Sequence, residues 1–126
     1  MSNLIWLAVA VAVLGGLGSV VRFVLSGWQK TLPWGILVAN TVASAVVGFC
    51  IGNNLTSGDA QSAFWATVFA TGFAGGLSTF SSWAGQTVAL MTQNRRRDGY
   101  LNVLLNLVLP VSGAITGIIL AGILLK

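Results

Sequence analysis

The placement of eight charged side chains constrains this chain more than any other feature. Arg22, Lys30, Asp59, Arg95, Arg96, Arg97, Asp98 and Lys126 leave charge-free runs over 1–21, 31–58, 60–94 and 99–125. The hydrocarbon core of a bilayer takes about 20 apolar residues of helix, so each run is long enough to cross one. Of 126 residues, 56% are hydrophobic and 6% charged, far below the roughly one quarter charged from which soluble domains are built. The pattern predicts a single domain, 1–126, folded as an all-α integral membrane protein of four transmembrane helices. They are expected near 3–26, 34–54, 62–92 and 100–125, with short loops at Trp28 to Pro33, Asn53 to Gln61 and Asn94 to Gly99.

The first run is expected to stay in the mature protein. A cleaved signal peptide carries positive charge ahead of its apolar stretch, whereas here Arg22 follows it. The net charge of +4 forms no stripe that would suit nucleic acid, and no nucleic-acid partner is expected. Arg95, Arg96 and Arg97 sit between two apolar runs, where anionic lipid and the retention of positive loops in the cytoplasm explain them. Cys50 is the only cysteine and histidine is absent, which excludes a disulfide framework and a cysteine or histidine metal cluster.

The run 60–94 is too long for one span. Its 35 residues would extend roughly 50 Å as a helix, against a core of about 30 Å. The interruption is expected in Thr71-Gly72-Phe73-Ala74-Gly75-Gly76-Leu77-Ser78-Thr79-Phe80-Ser81-Ser82-Trp83, where three glycines each disfavour helix by about 1 kcal/mol. Broken backbone at membrane depth persists only where protein, water or an ion satisfies the freed groups, so the break marks a candidate functional site. Small residues also recur at Gly48-x-x-x-Gly52, Gly113-x-x-x-Gly117 and Gly15, Gly16, Gly18. They suit close helix contact, either within one subunit or at a dimer seam.

No carboxylate lies inside a run, since Asp59 and Asp98 fall in expected loops. That argues against a proton-coupled exporter, which uses a membrane-embedded acid or histidine. The hydroxyls of Ser78, Thr79, Ser81 and Ser82 have no nearby base, so an enzyme is not expected. Neutral donors and aromatic rings remain. Asn40 and Ser44 share a face of the second helix, Ser82 and Gln86 share one after the break, and Phe80 and Trp83 stand three residues apart. Amide N–H, hydroxyl O–H and positively polarised ring edges suit a small anion shedding its water. The same groups equally serve as back-bonded hydroxyls and packing aromatics. Arg22 is either an interfacial anchor or a vestibule charge that attracts anions.

At these residues the sequence resembles the Fluc (CrcB) fluoride channel family, over nearly the whole chain. TGFAGGLSTFSSW is similar to that family's TGFxGGxTTFSTF signature, and Gly18 to Arg22 and Gly35 to Asn40 are similar to its G-x-x-x-R and G-T-L-x-x-N patterns. The resemblance implies a fluoride channel of the cell membrane that exports fluoride passively for resistance. It also implies an antiparallel, dual-topology-type dimer with pores at the subunit interface. A structural sodium ion would be held by backbone carbonyls at Gly75 and Ser78. Asn40 and Phe80 would line the anion path, with Thr79, Ser81, Ser82 and Trp83 beside them.

Departures from the pattern are Trp83 where a second phenylalanine is expected, Gln86 where glutamate usually follows, and Leu109-Pro110 where a Gly-Ser pair is common. They leave open a non-conducting subunit beside a conducting partner. A small multidrug or cation exporter is a more distant alternative. Lys30, Arg95, Arg96 and Arg97 fall on one side of four spans and Lys126 on the other. That bias predicts a fixed orientation with both termini outside the cytoplasm, and the resemblance, whose family includes pairs of opposite orientation, implies an oppositely oriented paralogue as partner; a dual-topology homodimer, the open alternative, needs a near-even bias.

Overall fold

The computed structural model describes residues 2–125; Lys126, counted above in the charge bias, lies outside them. All regular elements among the described residues are helical. They run as α1 (Ser2–Ser26), α2 (Trp34–Ser57), α3 (Ala60–Thr67), a π-helical segment (Val68–Ala74), α4 (Gly75–Leu77), α5 (Phe80–Thr92) and α6 (Arg96–Leu124). Three helices are long and apolar enough to cross a membrane: Asn3–Ser26, Trp34–Ser57 and Arg96–Leu124. The remaining charge-free run is divided among the shorter elements.

Local chemistry sets the ends. Gly58 takes the left-handed conformation (φ 65°) that closes α2, its N–H bonded to the Asn54 carbonyl. Asp59 then caps α3, one carboxylate oxygen accepting from the Ser62 N–H at 2.9 Å and the other from the Ser62 hydroxyl at 2.7 Å. Those bonds hold the exposed Asp59 carboxyl below its ordinary range. The connection between α2 and α3 is therefore only Gly58 and Asp59, shorter than the loop expected from Asn53 to Gln61. At the other end of the run, Arg96, Arg97 and Asp98 belong to the first turn of α6 rather than to a loop. This helix of 29 residues is about 44 Å long, so its charged first turn can stand clear of a hydrocarbon core of about 30 Å. Pro110 sits inside α6 without ending it.

The glycine spacings pack helices within this one subunit. A Cβ at Gly113 would come within 2.8 Å of the Thr41 carbonyl oxygen, and one at Gly52 within 2.7 Å of the Ala121 Cβ. At Gly48 and Gly117 a Cβ would overlap the carbonyls of Ala114 and Ala45. Bare glycine backbone thus lets α2 and α6 meet closely, the arrangement that works where no hydrophobic effect draws helices together. A second seam joins α1 to the interrupted run. Gly18 faces the backbone of Phe73 to Leu77, and Gly76 rests on the Gly15 carbonyl. The innermost cluster, Ala39, Ala43, Ala74 and Leu77, lies where α2 meets this seam, while Phe23, Leu55 and Val111 project outward.

Candidate functional site

Helical backbone stops at Leu77. Ser78 (φ −75°, ψ 152°) and Thr79 (φ −155°, ψ 123°) are extended, and Phe80 begins α5. Two extended residues strand donors and acceptors that would continue the helix, and several of these are met by specific partners. The Thr79 hydroxyl caps α5 by accepting the Ser82 N–H at 3.2 Å. From α2, the Asn40 side chain pairs with both backbone groups of Thr79: its Oδ1 accepts the N–H at 2.8 Å and its Nδ2 donates to the carbonyl at 3.3 Å. From α1, the Ser19 hydroxyl donates to the Gly76 carbonyl at 3.3 Å.

This exchange of partners has a consequence for Gly75 and Ser78. A continuous helix would direct the Thr79 N–H to the Gly75 carbonyl and the Ser82 N–H to the Ser78 carbonyl. Both donors are instead taken, by Asn40 and by the Thr79 hydroxyl. The two carbonyls lose their helical partners at residues that are both exposed on this subunit. Hard, uncharged oxygens of this kind match a small monovalent cation, and among the described residues there is no cluster of histidine, cysteine, aspartate or glutamate that could hold a metal instead. Crowding by this chain is absent at Gly75, where a Cβ would meet only the Ala70 carbonyl at 3.8 Å. The crowded glycine is its neighbour, Gly76.

Beside the break lies a cleft of about 300 Å³ onto which Asn40, Ser44, Ser78, Thr79, Phe80 and Trp83 open, closed on the α6 side by Asn106, Leu107 and Pro110. Four of the residues expected on an anion path, Asn40, Thr79, Phe80 and Trp83, therefore meet. Ser81 and Ser82 gather instead around the Thr79 hydroxyl, each oxygen 3.2 Å from it. The rings of Phe80 and Trp83 stand edge to face, centroids 5.0 Å apart at 76°. Phe80 is 75% exposed and points away from its own subunit. Arg22, near the end of α1, is half-buried and does not line this cleft.

Two residues of the site carry no expectation from the sequence. Asn106 Oδ1 accepts the second Asn40 N–H at 3.1 Å, and Asn106 Nδ2 donates to the carbonyl and side-chain oxygens of Asn102 at 3.1 and 3.0 Å. Asn102 in turn donates to the Thr87 hydroxyl at 2.9 Å, which donates to the Trp83 carbonyl at 2.9 Å. The Trp83 Nε1–H returns to the Asn102 carbonyl at 3.3 Å. Asn102 and Asn106 are 2% and 9% exposed, and each side-chain nitrogen in this chain of amides has a partner where an unpaired one would be costly. The available signal was two asparagines four residues apart in an otherwise apolar run. Asn40 reaches the cleft with both N–H groups engaged, which makes it the clamp of the break.

At one end of the molecule the α1–α2 and α5–α6 connections are tied together. Arg95 bonds Asp98 at 2.8 Å and donates to the Thr31 carbonyl. Lys30, Gln93 and Arg95 line a small second cleft with Gln86, whose buried Oε1 has no hydrogen-bond partner.

Comparison with known proteins gives a consistent family. Residues 9–118 match the sequence model for the CrcB-like protein, Camphor Resistance (CrcB). The chain is 38% identical over 118 residues to the fluoride-specific ion channel FluC of Thermococcus onnurineus (strain NA1), covering 91% of this chain and 95% of that protein. It is 36% identical over 110 residues to the fluoride-specific ion channel FluC of Pyrococcus abyssi (strain GE5 / Orsay), covering 85% and 89%. The protein of the same name from Salmonella arizonae (strain ATCC BAA-731 / CDC346-86 / RSK2980) is 37% identical over 107 residues, covering 80% and 82%.

Proposed function

The chain belongs to the CrcB-like family, and we propose that it is a subunit of a fluoride-selective ion channel, not an enzyme, that lets fluoride leave the cytoplasm down its gradient. It is a multi-pass membrane protein. The observation that carries the reading is the cleft beside the break, where hydroxyl and ring-edge groups of Ser44, Ser78, Phe80 and Trp83 converge with no carboxylate among its lining. Such a lining replaces the water of a small anion with neutral donors and positively polarised edges, and offers a cation little. The missing acid also separates this chain from a proton-coupled drug exporter.

In this reading α3, the π-helical segment, α4 and α5 together form the third of four crossings of one domain, interrupted at Ser78 and Thr79. Sodium, held by the carbonyls of Gly75 and Ser78, would place positive potential beside an otherwise neutral anion path. Because Phe80 projects from its own subunit, the path is completed by a second subunit in an antiparallel dimer in the cell membrane. The cationic residues Lys30 and Arg95 lie on connections that meet at the Arg95 to Thr31 contact, and Arg96 and Arg97 follow in the first turn of α6, which favours one orientation and an oppositely oriented paralogue as partner.

The test is fluoride efflux from liposomes holding the purified chain alone, compared with chloride and with liposomes that also hold a candidate partner. Fluoride efflux well above chloride efflux supports the channel. Efflux only with the partner assigns this chain the non-conducting role, for which Trp83 and Leu109-Pro110 are the sequence support. No fluoride efflux under either condition removes the proposal.

A further inference from the structure

We propose that Asn106, backed by Asn102, is the positioning residue of the helix break: by fixing the Asn40 amide it keeps the Thr79 N–H away from the Gly75 carbonyl, and so sets the affinity of that carbonyl site for sodium. The inference rests on the sodium site proposed above.

The argument starts from orientation. A side-chain amide can turn over and exchange its oxygen for its nitrogen, and Asn40 must present oxygen to the Thr79 N–H to hold the break open. On the Thr79 side that choice is favoured by two bonds, of 2.8 and 3.3 Å. On the far side it is favoured only if the group facing the second Asn40 N–H is an acceptor. Asn106 presents one, Oδ1 at 3.1 Å. Asn106 is in turn fixed because its Nδ2 faces two oxygens of Asn102, one of them a backbone carbonyl that cannot donate.

The polarity of the whole relay is thus anchored by main-chain groups at both ends. It begins at the Thr79 backbone and ends at the Trp83 carbonyl, through Thr87. Every member needed to orient Asn40 from behind belongs to α5 or α6, and none contacts the carbonyls of Gly75 or Ser78 directly. Removing the acceptor at Asn106 leaves one Asn40 N–H without its protein partner. That weakens the clamp, so the Thr79 N–H is released from Asn40 more often, open to exchange while unbonded, and each release lets it swing toward the Gly75 carbonyl.

The experiment compares the full-length chain, in its assembled form, with Asn106→Leu, which keeps bulk and removes both amide functions. Asn106→Ser, whose shorter side chain stops short of Asn40, serves if the leucine variant does not assemble. Thr116→Val, further along α6 and outside the relay, is the control. The first readout is hydrogen exchange of the backbone amides over 78–82, which needs neither fluoride nor sodium. The expected result is about tenfold faster exchange at Thr79 in the Asn106 variants, the size of one lost hydrogen bond, with the control unchanged.

The second readout is the sodium concentration for half-maximal fluoride efflux, expected to rise about tenfold with efflux recovering at saturating sodium. A purely structural role would lower efflux at every sodium concentration. Unchanged exchange over 78–82 in a folded Asn106 variant overturns the proposal, and so does an unchanged sodium midpoint. A wild-type chain that conducts fluoride without any sodium dependence sinks the sodium reading, while the exchange measurement still judges the relay.

Discussion

Asn40 meets Thr79 as one strand of a sheet meets another: its side-chain oxygen accepts the Thr79 N–H at 2.8 Å, and its nitrogen donates to the Thr79 carbonyl at 3.3 Å. A single carboxamide on α2 therefore stands in for the helical neighbours that Thr79 lacks. The pairing spans 39 positions of sequence. It explains how Thr79, extended between two helices, keeps its backbone groups paired.

Replacing Asn40 by aspartate removes both donors and sets carboxylate oxygen against the Thr79 carbonyl and Asn106 Oδ1. The cost is about 1–3 kcal/mol for each bond lost. Asn40→Asp is expected to melt at lower temperature and to pass fluoride at least tenfold more slowly. Wild-type melting and wild-type efflux together would show that the clamp is dispensable.

Phe80 gives the opposite signature, since it is 75% exposed on its own subunit and contributes little to that subunit's stability. Phe80→Ile keeps bulk but removes the ring edge and the edge-to-face pair with Trp83. Fluoride efflux should fall at least tenfold with melting and assembly unaltered. Undiminished efflux from a folded variant would take Phe80 off the anion path.

The two adjacent glycines at the break should behave differently. At Gly76 a Cβ overlaps the Gly15 carbonyl, and Gly76→Ala is expected to destabilise the subunit by about 1–3 kcal/mol. At Gly75 a Cβ meets nothing of this chain closer than 3.8 Å. Gly75→Val should therefore leave the folded subunit intact and damage dimer formation or sodium dependence. Gly85, with open space around it in α5, is the reference, and Gly85→Ala should stabilise by about 0.5–1 kcal/mol. Thermal melts read by monodisperse elution in detergent would rank the three, and equal damage from Gly76→Ala and Gly85→Ala would contradict the close approach of α1.

Orientation follows from the positive connections. With Arg95 tying the two together, single cysteines placed near Asp98 in a Cys50-free background should be protected from an external impermeant thiol reagent, while those near Lys126 should react. Comparable labelling of each site from both sides would return the assembly to a dual-topology homodimer.

Helical class and three of the long spans follow from the order of residues alone, because lipid imposes a one-dimensional rule. A stretch must be long enough, apolar enough and free of charge, and those properties are counted along the chain. Its glycines and hydroxyls also marked where the run from 60 to 94 would be hard to continue as helix. The sequence did not mark Asn102 and Asn106, nor the engagement of both Asn40 N–H groups, nor which of Gly75 and Gly76 is crowded. Those were decided by tertiary structure. An amide or carbonyl takes whatever partner lies about 3 Å away in the required direction, and here that partner is 39 or 66 residues distant. Close approach of α2 to α6 and of α1 to the break, permitted by bare glycine backbone, is what brings those distant groups within reach.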